Sequence, residues 1–180
     1  MKKNRMRAAI WWIPMLLIFG AAPLRAQATK PCEAKPEYRQ FDFWVGEWEV
    51  TVQGQPAGTN RVELILDKCV LLENWTGSKG GVGKSFNIYN AAADRWQQTW
   101  VDNGGNVLEF TGAFRDGAMR LQAETPGRNG GKTLMRMTFF PLSEDRIRQL
   151  WESSTDGGKT WRATFDGLYS RKKSAGASGN

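Results

Sequence analysis

Histidine is absent from this 180-residue chain, and cysteine occurs only twice. The first absence excludes Ser-His-Asp and Cys-His nucleophile systems, and with them His-ligated zinc or haem. Two cysteines are too few for a Cys-only zinc site. No metal and no cofactor is therefore expected. Surplus positive charge is scarcer than the total of 25 Lys+Arg against 18 Asp+Glu suggests. Five of the bases (Lys2, Lys3, Arg5, Arg7 and Arg25) lie in a segment that reads as a removable leader, which leaves 20 against 18. Three more, Arg171, Lys172 and Lys173, fall in a polar tail. A body so close to neutral argues against nucleic acid as a partner.

Residues 1–28 have the plan of a secretory signal peptide. A basic start precedes an apolar run from Ala8 to Ala22, and Ala26-Gln27-Ala28 supplies a small-x-small cleavage site. The run falls short of the roughly 20 residues of a membrane span. No other segment is apolar enough to span, so no stable membrane span is expected after cleavage near Ala28. The protein reads as periplasmic or secreted. In an oxidising compartment two cysteines can pair. A Cys32–Cys69 bridge, favoured over two free thiols, would staple the N-terminal arm to the wall of the fold.

Beyond the leader, short alternating runs separated by glycine-rich turns predict an all-β domain of about ten strands. They cover Glu47–Gln53, Thr59–Leu66, Val70–Thr76, Lys84–Asn90, Arg95–Val101, Asn106–Phe114, Ala118–Glu124, Thr133–Phe140, Arg146–Ser153 and Thr160–Ser170. The turns carry Asn103-Gly104-Gly105, Asp116-Gly117, Asn129-Gly130-Gly131 and Asp156-Gly157-Gly158, where glycine supplies positive φ. Connections this short force antiparallel neighbours, and closure removes the exposed edges. The expected architecture is a single up-and-down antiparallel β-barrel, with Pro36 to Val45 as a short helix or plug. The expected layout is a signal peptide over 1–28, an N-terminal arm over 29–40, the barrel over 41–170 and a disordered tail over 171–180.

Period-2 phase predicts the inward side chains. They are Trp48, Val50 and Val52; Val62, Leu64 and Leu66; Trp96, Gln98 and Trp100; Ile147, Gln149 and Trp151; and Trp161, Ala163, Phe165 and Tyr169. The runs holding Glu73 and Asn87 are mixed on both faces, and their phase stays open. Such an interior is aromatic with a few uncharged polar groups, a composition common in ligand pockets. A filled, tryptophan-rich core fits the same pattern.

Three motifs invite chemistry. Lys79-Gly80-Gly81-Val82-Gly83-Lys84-Ser85 resembles a deviant Walker A loop. A phosphate-cradling loop needs a helix behind it, whereas Phe86-Asn87-Ile88-Tyr89-Asn90 alternates like a strand, so ATP is not an expected partner. Ser154-Thr155-Asp156-Gly157-Gly158-Lys159-Thr160-Trp161 resembles the Asp-box of sialidase propellers, where it is a folding element. Among the carboxylates, Asp102 opens a turn and Glu152 is out of phase with Gln149 and Trp151. Glu73 is left as the candidate for an interior role, and it would need a partner such as Arg136 or the Gln98 amide.

The string Phe41-Asp42-Phe43-Trp44-Val45-Gly46-Glu47-Trp48 resembles the Gly-x-Trp start of lipocalin and calycin barrels. With Glu73-Asn74-Trp75, Ser85-x-Asn87-x-Tyr89, Trp96-x-Gln98-x-Trp100-Val101-Asp102 and Gln149-x-Trp151-Glu152-x-Ser154, it resembles an uncharacterised exported bacterial family of that superfamily. The likeness runs from about Phe41 to Tyr169 and implies fold more than activity. A ten-stranded relative, nitrobindin, holds haem through a histidine; this chain has none, so that role does not transfer.

The leading expectation is an exported barrel that binds a small, partly apolar or aromatic ligand. Trp96, Trp100, Trp151 and Trp161 would stack on it. Asn87, Gln98 and Gln149 would orient polar groups, Tyr89 would join the wall, and Glu73 would meet a donor or cation. The alternatives are a hydrolase or isomerase using Glu73, or an envelope protein-interaction module.

Overall fold

The computed structural model describes residues 30–127 and 130–173. The expected signal peptide, the turn residue Asn129 and the last seven residues lie outside that set. Ten strands follow in order: β1 (Gly46–Val52), β2 (Gln55–Ile65), β3 (Val70–Gly77), β4 (Val82–Asn90) and β5 (Arg95–Asp102), then β6 (Val107–Arg115), β7 (Ala118–Pro126), β8 (Lys132–Ser143), β9 (Arg146–Ser154) and β10 (Arg162–Arg171). Each pairs antiparallel with its neighbours in sequence, and β1 pairs with β10 to close the barrel. The all-β, ten-stranded up-and-down barrel read from the alternation is the observed fold. Among the described residues no helix is long and apolar enough to cross a membrane.

Asp116 and Gly117, both at positive φ, make a two-residue turn between β6 and β7. Gln53 and Gly54, also at positive φ, do the same between β1 and β2, so β2 starts at Gln55 rather than Thr59. The next turn is less comfortable. Leu66, Asp67 and Lys68 all have positive φ, a conformation that side chains with a Cβ disfavour by about 1 kcal/mol or more each. Leu66, expected inside, is therefore 71% exposed at the tip of this turn.

The N-terminal arm braces that turn. A four-residue helix, α1 (Pro31–Ala34), carries Cys32 to Cys69 in the expected disulfide, with Cα atoms 5.0 Å apart. Lys30 reaches Asp67 at 2.7 Å and Lys68 reaches Glu33 at 3.1 Å. Two 3-10 turns (Pro36–Arg39 and Asp42–Trp44) then bring Phe41 and Trp44 into the barrel end. There Phe41 stacks on Trp44 at 4.9 Å and meets Phe139 at 5.0 Å and Trp96 at 5.6 Å. Burying rings of this size stabilises by about 2–3 kcal/mol each. The Trp48 indole N–H donates to the Trp44 carbonyl at 2.9 Å, which joins the plug to β1.

Arg171 closes the seam. Expected to begin the disordered tail, it instead ends β10, because its guanidinium has fixed partners at this end. It lies 4.2 Å from the Trp48 ring centroid and donates to the Val45 carbonyl at 3.0 Å and the Glu144 carbonyl at 3.1 Å. It occupies the space where a Cβ on residue 46 would project, so Gly46, with φ of 140°, has no substitute there.

Two measurements follow from these braces. In denaturant unfolding, the double variant Cys32→Ser, Cys69→Ser should lose about 3–4 kcal/mol, the value for reopening a loop of this length. Arg171→Ala should lose about 2–3 kcal/mol through the cation–π contact and the carbonyl bonds, and Arg171→Lys should restore less than half because an ammonium lacks the fork.

Candidate functional site

The strands place the plug at one end and the longer glycine-rich turns at the other. Between plug and turns, toward the turn end, lies a cavity of about 150 Å³. Its polar lining is Glu73 on β3, Gln98 on β5, Gln149 on β9 and Tyr169 on β10. Its apolar lining is Trp75, Trp100, Trp151, Phe165 and Met137. The volume is about that of an engineered apolar cavity that admits benzene.

Local sequence explains how the rings fit. On β4 the inward positions are Gly83, Ser85, Asn87 and Tyr89, all buried, while Val82, Lys84 and Phe86 are exposed. A Cβ on Gly83 would overlap the Trp100 ring, so the bare backbone there makes room for the indole. Trp75 meets Phe165 edge-on at 6.0 Å, and Trp151 meets Phe110 at 5.7 Å.

The β2–β5 wall is polar. Asn87 donates from Nδ2 to the Leu71 carbonyl at 3.2 Å and to Ser85 Oγ at 2.8 Å. Because a carbonyl can only accept, that bond sets the amide's orientation and turns Oδ1 toward Gln98, which donates at 2.7 Å. Ser85 Oγ, already accepting, donates its own proton to Glu73 Oε2 at 2.6 Å. Asn60 Nδ2 donates to Glu73 Oε1 at 2.8 Å. The Gln98–Asn87, Asn87–Ser85 and Ser85–Glu73 bonds, and the Asn60 bond from the other side, all run toward the Glu73 carboxylate.

Glu73 is 4% exposed. Burial pushes its carboxyl up from the ordinary 4.5 to about 7, against the opposing pull of the Ser85 and Asn60 hydrogen bonds. The Tyr169 hydroxyl is raised too, first by burial and then by the nearby Glu73, and it donates to Gln149 Oε1. The Gln149 amide nitrogen finds only the Met137 sulfur at 3.0 Å, a weak acceptor. Trp151 Nε1 is buried without a hydrogen-bond partner among the described residues.

Of the residues picked from the sequence, Glu73, Gln98, Trp100, Gln149 and Trp151 line the cavity, and Asn87 stands behind Glu73 in the polar chain. Three are elsewhere. Tyr89 and Trp96 do face inward, but they flank the β4–β5 turn at the plugged end. Trp96 donates to Gln40 there at 3.1 Å, and Tyr89 donates to Asp94. Trp161 is outside. A bulge between Ala163 and Phe165 inverts the phase, leaving Ala163 exposed and Phe165 inward. The Trp161 indole N–H caps the Gly158 carbonyl at 3.0 Å, and Arg136 lies over the ring at 4.2 Å.

The Arg136 partnership proposed for Glu73 is also corrected. Arg136 grips Glu152 on the outer surface, with contacts of 2.6 and 2.9 Å. The motif readings hold their structural form. Asp156 accepts from Ser154 at 2.7 Å and from the Thr160 hydroxyl at 2.6 Å within its own turn. The Thr160 bonds lead in holding its carboxyl well below the usual range. The Lys79–Gly81 turn feeds the strand β4.

Trp75, Met137, Phe165 and Tyr169 were not picked as site residues, nor were Asn60 and Ser85. Trp75 was recoverable, since two residues after an inward Glu73 the chain points inward again. Met137 carries no comparable signal.

Glu73 has a pH signature. Its raised folded-state value means that the neutral form contributes stability in full below about pH 4.5 and loses it as pH rises through about 7. Equilibrium unfolding should therefore show wild type losing up to about 3 kcal/mol across that window, and Glu73→Gln should remove the slope.

No protein-family model and no curated protein matches the chain.

Proposed function

We propose that this protein is an exported binding protein of lipocalin-like build whose barrel holds a small, partly apolar ligand in the cavity between Trp75, Trp100, Trp151 and Phe165. The observation that carries this reading is the cavity itself. Space of about 150 Å³ is walled by large rings, by the Gln149 amide with a weak sulfur acceptor, and by the Trp151 indole N–H, which has no partner among the described residues. The Gly46-Glu47-Trp48 start supports kinship with calycins, and the Cys32–Cys69 bridge supports an oxidising compartment.

A hydrolase or isomerase is less well supported. Glu73 is the lone carboxylate among the residues lining the cavity, and both its oxygens accept hydrogen bonds from the wall. Acid–base hydrolysis of the two-carboxylate type needs a second group held at a different pKa.

The test is tryptophan fluorescence of the purified exported protein, titrated with single-ring alcohols, acids and amines. At least one class should quench saturably, with Trp75, Trp100 and Trp151 in reach. Gly83→Ala should weaken that binding about tenfold or more, because its methyl drives the Trp100 ring into the space, while the circular dichroism of the barrel is retained. Saturable binding that Gly83→Ala leaves untouched would place the ligand elsewhere.

A further inference from the structure

We propose that the ligand is a small organic cation, a protonated amine on a body of about one ring, whose ammonium group pairs with Glu73. This inference rests on the binding function proposed above and names its ligand class.

The polar wall is built around a negative charge. Gln98 donates to Asn87, Asn87 to Ser85, and Ser85 to Glu73, with Asn60 donating from the other side. A neutral carboxylic acid needs an acceptor for its own proton; the wall's bonds present Glu73 with donors, and the unpartnered acceptor beside it among the described residues is Asn60 Oδ1. Yet burial opposes the charge, and among the described residues Glu73 has no ion-pair partner. Arg136 of β8 and Arg148 of β9 are engaged on the outer surface, with Glu152 and Asp166. A buried carboxylate furnished with donors and lacking a counter-ion is half of a charge pair.

The cavity walls suit the missing half. Trp75, Trp100, Trp151 and Phe165 line the same space as Glu73. Aromatic faces attract cations, most strongly where water is excluded, and aromatic cages are a known way of enclosing ammonium groups. An anionic ligand would meet Glu73 with like charge. Trp151 Nε1, buried without a partner among the described residues, suits a hydroxyl or ether oxygen on the same ligand.

The groups facing Glu73 leave its charge to the ligand. They are Asn60 from β2, Ser85 and Asn87 from β4, Gln98 from β5, Gln149 from β9 and Tyr169 from β10. Tyr169 is the titratable member, and its raised value keeps it neutral. Cation affinity should therefore follow the ionisation of Glu73, with protons as competitors below neutrality.

The experiment is calorimetric titration of the purified exported protein with benzylammonium, benzyl alcohol and benzoate, repeated on Glu73→Gln. The expected result is that benzylammonium binds at least about tenfold tighter than benzyl alcohol, and benzoate weakest. Glu73→Gln should abolish that preference. In wild type, benzylammonium affinity should rise about 25-fold from about pH 5.5 to about pH 7.5, while benzyl alcohol affinity stays level. The pH series holds the test open even if the variant fails to fold. Equal binding of the alcohol and the amine, a preference that survives Glu73→Gln, or a flat pH profile for the amine would overturn the cation assignment and leave the cavity reading standing. Failure of all three compounds to bind would overturn both.

Discussion

Closure of the barrel at the β1–β10 seam is the constraint on which the rest of the structure depends. A ten-stranded meander left open would expose two long edges and could not separate an inside from an outside. The seam is made by main-chain pairing from Trp48 opposite Arg171 to Val52 opposite Gly167. Side chains lock it at one end. Arg171 lies over Trp48 and holds the Val45 and Glu144 carbonyls, in space that Gly46 leaves empty. The Trp48 indole in turn holds the Trp44 carbonyl, so one group of contacts joins first strand, last strand and plug.

Given closure, the two ends of the barrel follow different physics. At the plugged end Phe41, Trp44, Trp96 and Phe139 fill the interior with rings, and burial of apolar area is the main gain. Along β2–β5 toward the other end the interior carries Asn60, Glu73, Ser85, Asn87 and Gln98, all buried. Hydrogen bonds of this kind return only about 1 kcal/mol each, little more than the cost of taking the groups out of water. A carboxylate at their focus is a net burden on the fold. The polar wall is therefore placed where it meets the cavity, and the stabilising work is done by the plug, the seam and the disulfide-braced turn.

That turn shows the same economy locally. Leu66, Asp67 and Lys68 stand in a backbone conformation that none of them favours. The disulfide and the ion pairs to Asp67 and Lys68 come from an arm that has no strand pairing of its own. Arm and turn each lack independent stability, and the covalent link lets each order the other.

The alternation of apolar and polar residues, the glycine-bearing turns and the two cysteines by themselves determined ten antiparallel strands, their closure and the pairing of Cys32 with Cys69. These are local or pairwise properties: a period of two sets a side chain's face, and a short turn sets its strand's direction. Gln98, Trp100, Gln149 and Trp151 were legible as inward-facing for that reason, and they line the cavity. Only the tertiary structure decided what depends on position along the barrel axis, on breaks in phase, or on distant partners. Tyr89 and Trp96 face inward at the wrong end, and the bulge after Ala163 sends Trp161 outside. Arg171 finds Val45 across 126 residues of chain, and Glu73 collects donors from β2 and β4. A linear pattern records which face a residue takes; it carries no coordinate along the axis and no list of neighbours, and the site is made of both.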